Sequence, residues 1–324
     1  MAIIIFFSPI PVAKAQTGGE FKPNGKIFGL LFTNFHTTFS GGDNSSAFEV
    51  TRSYLGFDYS FSETIASRVM YDGTTEIING KTIYSGYLRN AYLQYDDGTL
   101  TVNGGLICAE QLSVMDKLWN YRFITRPPID YSGMIFSSDL GLMAKVKAGE
   151  MVVLDVEVTN GRGFKDIAGN GTYRFSGGFT ITPPDNLLFR GYYDIMGPSG
   201  RRQRTASLSA AYMSPGLTAG AEYLIQNNNL MVEGANNSGL SIFATVKLAE
   251  KVSLFGRYDN IRSVIMEGES DPWNVTKDGT RIYLGIDFSP ACNVRISPNF
   301  TGFIPDEAGA DFEGTVGLNV EAKF

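Results

Sequence analysis

Residues 312–324 read FEGTVGLNVEAKF and constrain the chain more than any other stretch. Phe312, Gly314, Val316, Leu318, Val320, Ala322 and Phe324 fall on one parity; Glu313, Thr315, Gly317, Asn319, Glu321 and Lys323 fall on the other. Side chains of a strand point to alternate faces, so this is a strand with one apolar and one polar face. Strands of soluble sheets commonly run about 5–6 residues. A tilted strand crossing a bilayer needs about 9–11. Thirteen alternating residues point to a sheet with lipid on one side, provided the rest of the chain repeats the pattern.

It does. The same alternation marks sixteen segments, near 25–38, 48–61, 63–73, 85–96, 98–107, 137–147, 150–160, 172–182, 186–196, 203–213, 216–227, 238–248, 250–260, 280–289, 292–303 and 312–324. Every second connection is tight and built from turn residues, as at Asp96-Asp97-Gly98, Ala148-Gly149 and Ser214-Pro215. The connections between them are longer and polar: 39–47, 74–84, 161–171, 228–237, 261–279 and 304–311. Short turns on one side, long loops on the other and an even count describe an up-and-down membrane barrel. The even count places both chain ends on the short-turn, periplasmic side. The expected fold is all-β: one transmembrane antiparallel barrel of sixteen strands over 16–324, with long extracellular loops.

Aromatic residues support that reading. Tyr59, Tyr95, Tyr212, Phe288 and Phe324 lie near the short-turn end of their segments on the apolar parity; Tyr71, Tyr193, Tyr258, Tyr173 and Phe312 lie near the opposite end. Two belts of amphipathic rings are what two membrane interfaces favour. No run approaches 18 apolar residues, and mean hydropathy is -0.05, which excludes helical spans but not a barrel. A net charge of -6 argues against a nucleic-acid surface.

The polar parity carries ten basic and eleven acidic side chains, among them Arg52, Arg68, Asp72, Arg174, Arg190, Glu222, Arg257, Asp259 and Arg281. So many inward charges imply an interior that is water-filled or laced with salt bridges, and sixteen strands enclose room for a channel. The longest connection, 108–136, contains AEQLSVMDKLW, which predicts a short amphipathic helix with Leu112, Met115 and Trp119 on one side. Apolar residues in a long loop need something to pack on. Such a loop either folds inward or caps the mouth or a subunit contact, and the inward form is expected. By analogy with sixteen-strand barrels whose third loop narrows the lumen, it sets Glu110 and Asp116 across a constriction from Arg52 and Arg68, with Arg122 a further candidate. The segment 25–38 is apolar on both parities and has no assignable inner face.

Residues 3–9 form an apolar run ahead of Ala13-Lys14-Ala15, which predicts the end of an export signal over 1–15. Cys108 and Cys292 fall at opposite ends of the barrel, so no disulfide is expected. No ligand set for a metal and no cofactor site is apparent. One histidine, His36, and no Ser–His or Asp–His pattern argue against an enzyme.

With these pieces placed, the chain resembles the phosphate-selective porin-like family of Gram-negative outer-membrane proteins. The similar stretches are FEVTRSYLGFDYSF at 48–61, LRNAYLQYDDGTLTVNGG at 88–105, SLFGRYDN at 253–260, Pro272-Trp273-Asn274, 293–302 and the terminal Phe324. The resemblance implies a trimeric sixteen-strand channel in the outer membrane. Surrounding lipid and lipopolysaccharide are its expected partners, with Phe324 as the handle for the barrel-assembly machinery. It also implies a ladder of inward arginines for phosphate. Here Arg52, Arg68, Arg257 and Arg281 are interrupted by Asp72, Asp259 and Asp287, a pattern that makes a weak anion trap. Passive diffusion of small solutes or ions is the expected function. Phosphate or anion selectivity and a non-conducting adhesin or structural barrel are the alternatives.

Overall fold

The computed structural model describes residues 10, 21–166 and 171–324. Sixteen strands follow one another around a closed antiparallel barrel. They are β1 Asn24–Ser40, β2 Asp43–Ser60, β3 Ile65–Ile78, β4 Lys81–Asp96, β5 Leu100–Cys108, β6 Ser138–Ala148, β7 Val152–Thr159 and β8 Arg174–Ile181; then β9 Leu187–Met196, β10 Gln203–Met213, β11 Leu217–Asn227, β12 Asn237–Ala249, β13 Val252–Ser263, β14 Gly279–Ala291, β15 Val294–Pro305 and β16 Glu313–Lys323. Closure is between β1 and β16, from Leu30 opposite Lys323 to Ser40 opposite Glu313. Phe324 extends the seam, exchanging backbone bonds of 2.9 and 3.0 Å with Gly29. Its ring lies where a Cβ on Gly29 would be, so a side chain there would displace the Phe324 ring. The expected leader falls outside the described residues except for Ile10, whose backbone bonds the Gln94 amide inside the barrel.

The barrel is inside out relative to a soluble protein. Leu142, Val156 and Leu208 are 62%, 59% and 65% exposed on the outer face, while Arg190, Glu222 and Asp259 are buried inside. A continuous exposed apolar band of this kind suits lipid, not water. The belt rings Tyr71, Tyr95, Tyr193, Tyr212, Tyr258 and Phe288 all stand on that outer face.

Two expected long loops are tight hairpins instead. β1 and β2 stay paired to Ser40 opposite Asp43 around Gly41-Gly42, and β3 and β4 to Ile78 opposite Lys81 around Asn79-Gly80. All four turn residues have positive φ, as a two-residue type I′-like turn requires. Beyond the lipid both faces of a hairpin are wet, so pairing continues after alternation has ended.

The segment without an assignable inner face is oriented by what fills the barrel. Phe28, Leu30 and Phe32 of β1 point inward and join a buried apolar cluster with Met115, Leu118, Trp119, Tyr121 and Phe123 of the third loop. Within that loop, α1 (Glu110–Trp119) is followed by a left-handed residue, Asn120, and by a short α2 (Pro128–Tyr131). The cluster is as apolar as a soluble core, and burying it is what draws the loop inward.

Candidate functional site

The wall makes room for the loop with small residues. A Cβ on Gly56, Gly220 or Gly285 would collide with the rings of Phe28, Phe243 and Phe255. The glycines leave room for these rings, and Trp119 at the end of α1 packs edge-to-face on Phe243 and Phe255. Loop-to-wall bonds then fix it around the barrel. Gln111 Nε2 donates to Ser207 and Glu222, both at 3.1 Å, while its Oε1 accepts from Arg190 Nε at 2.9 Å. Gln226 donates to the Met134 carbonyl at 2.8 Å and Tyr131 to Asp259 at 3.1 Å. On the other side, Arg295 donates to the Asn120 carbonyl at 2.7 Å and Asn319 to that of Phe123 at 3.0 Å.

The result is an aromatic bridge across the lumen. From β2 and β1 it runs Tyr54 to Phe32 (6.2 Å between centroids), Phe32 to Phe123 (6.2 Å), Phe123 to Tyr121 (6.2 Å) and Tyr121 to Phe255 of β13 (4.1 Å). Trp119 links Tyr121 to Phe243 of β12, at 5.2 and 6.2 Å. Guanidiniums cap the bridge: Arg295 lies over Tyr121 (4.6 Å) and Phe123 (4.7 Å), and Arg257 over Trp119 (4.5 Å).

On the long-loop side of the bridge lies a cavity of about 680 Å³. Its cations are Arg52, Arg89, Arg122, Arg126, Arg162 and Lys165, and its rings are Phe32, Phe123, Tyr131, Phe136 and Phe164. Arg52 Nε and Arg89 Nη1 share Asp72, at 3.3 and 3.1 Å. Arg122 joins Asp116 (2.7 Å) to Asp130 (3.0 Å), and Arg126 reaches Asp130 at 3.2 Å. Burial opposes the charge on Asp130, but Arg122 and Arg126 outweigh it and hold that carboxyl below the usual carboxylate range.

The ten residues singled out from sequence separate into groups. Arg52 and Arg122 line the cavity. Arg68 makes a two-pronged bond to Asp58, 2.7 Å on each prong, and stacks on Phe28. Arg190 pairs with Asp155, and Arg174 lies 3.9 Å from Asp194. Arg257 and Asp259 pair with each other at 2.8 Å. Arg281 donates to the Lys277 carbonyl and stacks on Phe303 at 4.0 Å. The expected facing of Glu110 and Asp116 against Arg52 and Arg68 is replaced by other partners. Glu110 turns to Lys145 at 3.0 Å, and the reversal at Asn120 folds Arg122 back onto Asp116. Behind the loop, Arg190, Asp194, Glu222, Arg257 and Asp259 are each 3% exposed or less, and on the β2–β4 wall Arg68, Asp72 and Arg89 are as deeply buried.

Arg89 escaped the parity count because of a β-bulge. Met70 faces Asn90 and Tyr71 faces Leu88, so Arg89 is the extra residue and swings inward beside Asn90. Arg162, Phe164 and Lys165 reach the cavity from the loop between β7 and β8, and no strand period points to them. Cys108 and Cys292 are not joined by a disulfide, and the Cys108 thiol lies within hydrogen-bond reach of the Asn90 amide at 3.2 Å.

No family model and no curated protein matches the chain. Solved structures do. The outer-membrane channel DcaP of Acinetobacter baumannii is 11% identical with a TM-score of 0.68, over 93% of this chain and 97% of that one. An anion-selective porin from Comamonas acidovorans is 10% identical, TM-score 0.65, over 94% and 100%. OmpT, an outer-membrane protein of Vibrio cholerae in trimer form, is 14% identical, TM-score 0.61, over 93% and 99%. At this identity the likeness is one of fold, and the fold is the sixteen-strand barrel of Gram-negative outer-membrane porins.

Proposed function

We propose that this chain is an outer-membrane channel through which small hydrophilic solutes or ions diffuse passively. The observation that carries the reading is the pairing of a closed, lipid-suited barrel with a charged inner face and a cavity at its long-loop end. The printed descriptions of a channel and an anion-selective porin among its structural neighbours agree with it. A homotrimer with both termini in the periplasm and Phe324 presented to the assembly machinery completes the proposal; the trimer form of the Vibrio cholerae protein supports the first part. Because three aspartates sit among the arginines of the cavity, anion preference is expected to be weak, with no phosphate trap.

A second reading has its own observation. The aromatic bridge narrows the lumen enough to support a barrel that does not conduct. Planar-bilayer recording of the refolded protein under a salt gradient separates the two. Stable current steps with a small reversal potential on the anion side are expected. Inserted, folded protein without steps would remove the channel reading and leave the closed barrel.

A further inference from the structure

Bridge and cavity together make more than a passage. Among the described residues, four arginines of the cavity, Arg52, Arg89, Arg122 and Arg126, are held by three aspartates, Asp72, Asp116 and Asp130, one positive charge more than the aspartates supply. The remaining two cations are each matched: Arg162 pairs with Asp166, and Lys165 with Glu76 at 2.7 Å. Arg122 and Arg52 line the same cavity. Arg52 is loosely tied, with both its bonds at 3.3 Å to Asp72 and Tyr54, and its side chain is 19% exposed. Arg126 is 46% exposed and keeps one arm on Asp130. An excess charge beside apolar walls, partly shielded from water, is best neutralised by an anion that also covers those walls.

We propose that the cavity above the aromatic bridge is a binding site for an organic anion with a flat apolar body, its acid group between Arg52 and Arg126 and its body against Phe123 and Phe164. Size and lining both favour this class over an inorganic anion. A cavity of about 680 Å³ falls in the range of small-molecule pockets, roughly 300–1,000 Å³. Phosphate would leave most of it and all of its rings uncovered. The site goes beyond the diffusion reading, since a solute held at the bridge would be captured whether or not the barrel conducts.

The test is calorimetric titration of the folded full-length chain in detergent, corrected by titration into detergent alone. Three probes divide the chemistry: 1-naphthoate, with charge and body; inorganic phosphate, with charge only; and 1-naphthylmethanol, with body only. Saturable 1:1 binding of naphthoate is expected, at least tenfold tighter than either of the others and weaker as sodium chloride is raised. The double variant Arg52→Gln with Arg126→Gln should lower naphthoate affinity at least tenfold. It is built to fold, because Asp72 keeps Arg89 and Asp130 keeps Arg122. If it does not, Arg126→Gln alone should lower affinity at least threefold. Phosphate or naphthylmethanol binding as tightly as naphthoate, an affinity indifferent to salt or to the variants, or no saturable binding would each overturn the site. Channel and site fail separately: current without naphthoate binding removes the site, and binding without current removes the channel.

Discussion

The half of the wall formed by β9–β13 and the half formed by β16 and β1–β4 carry similar charged side chains, yet the two do different work. On the first, Arg190, Glu222, Arg257 and Asp259 lie beneath the third loop, out of contact with water, with bonds to the loop or to each other. On the second, Arg68, Asp72 and Arg89 are equally buried in pairs, but Arg52 faces an open cavity and lies 3.3 Å from Asp72. A charge count along the strands treats both halves alike. What separates them is where the loop lands, and that is decided by apolar residues: Phe28, Leu30 and Phe32 on one side, Phe243 and Phe255 on the other. Most inward charge is therefore structural on both halves, and Arg52 is a wall cation that the loop leaves facing open space.

The sharpest way to break this comparison is to remove one arginine from each half. Arg190→Ala strands Asp155 in the covered wall and takes from Gln111 the donor at its Oε1. Removing one partner of a buried pair costs about 3–5 kcal/mol. Arg52→Gln leaves Asp72 with Arg89 and removes a loose contact of 3.3 Å, so it should cost about 1–2 kcal/mol. Urea unfolding in lipid vesicles measures both. Equal costs would mean that the loop does not divide the lumen as described.

Gln111→Ala tests the covered half from the loop side. Its amide serves three wall groups at once, so truncation leaves Arg190 Nε and Glu222 short of a partner and should cost about 1–3 kcal/mol. Gln111→Glu should be worse than alanine, because it sets a carboxylate against Glu222. A glutamate milder than alanine would mean that its contact with Arg190 outweighs the repulsion from Glu222.

Much of this was legible in the sequence, for a physical reason. Lipid on one face and a polar lumen on the other impose a period of two, and the strands after β1 carry it. The helix at α1 and the inward loop were legible too, because Leu112, Met115 and Trp119 have no business in water. What the sequence hid was everything that breaks the period. The hairpins beyond the bilayer pair through their backbones, so their turns at Gly41-Gly42 and Asn79-Gly80 looked like the middle of loops. One inserted residue at the bulge turned Arg89 inward against its parity. The partners of Glu110 and Asp116 depend on how a loop folds back at Asn120, which no alternation encodes. The doubly apolar β1 was itself the sign of a docking wall, since an inner face that dry inside a polar barrel must be covered by something.

The aromatic bridge gives the next comparison, between the two sides of the lumen it separates. Tyr121→Ala with Phe123→Ala removes the rings between Phe32 and Phe255 and leaves α1 with its Gln111 anchor. If ions pass this level, single-channel conductance should rise at least twofold in the same salt. An unchanged conductance would put the ion path elsewhere in the barrel.

The smallest effect expected is also the most selective. Arg126→Gln removes a cation that is 46% exposed from the open half, and Asp130 keeps Arg122, so stability should move by no more than about 1 kcal/mol. Its charge is nonetheless part of the excess that faces the cavity. Without it, four arginines against three aspartates become three against three, and the cavity loses its sign. The reversal potential under a salt gradient should then move toward the cation side at low salt. The shift should fade as ionic strength rises and the Debye length falls from about 10 Å at 0.1 M to about 3 Å at 1 M. A reversal potential that ignored Arg126 but moved with Lys247, near the short-turn end of β12, would place the selective step on the other side of the bridge and reassign the open half from filter to antechamber.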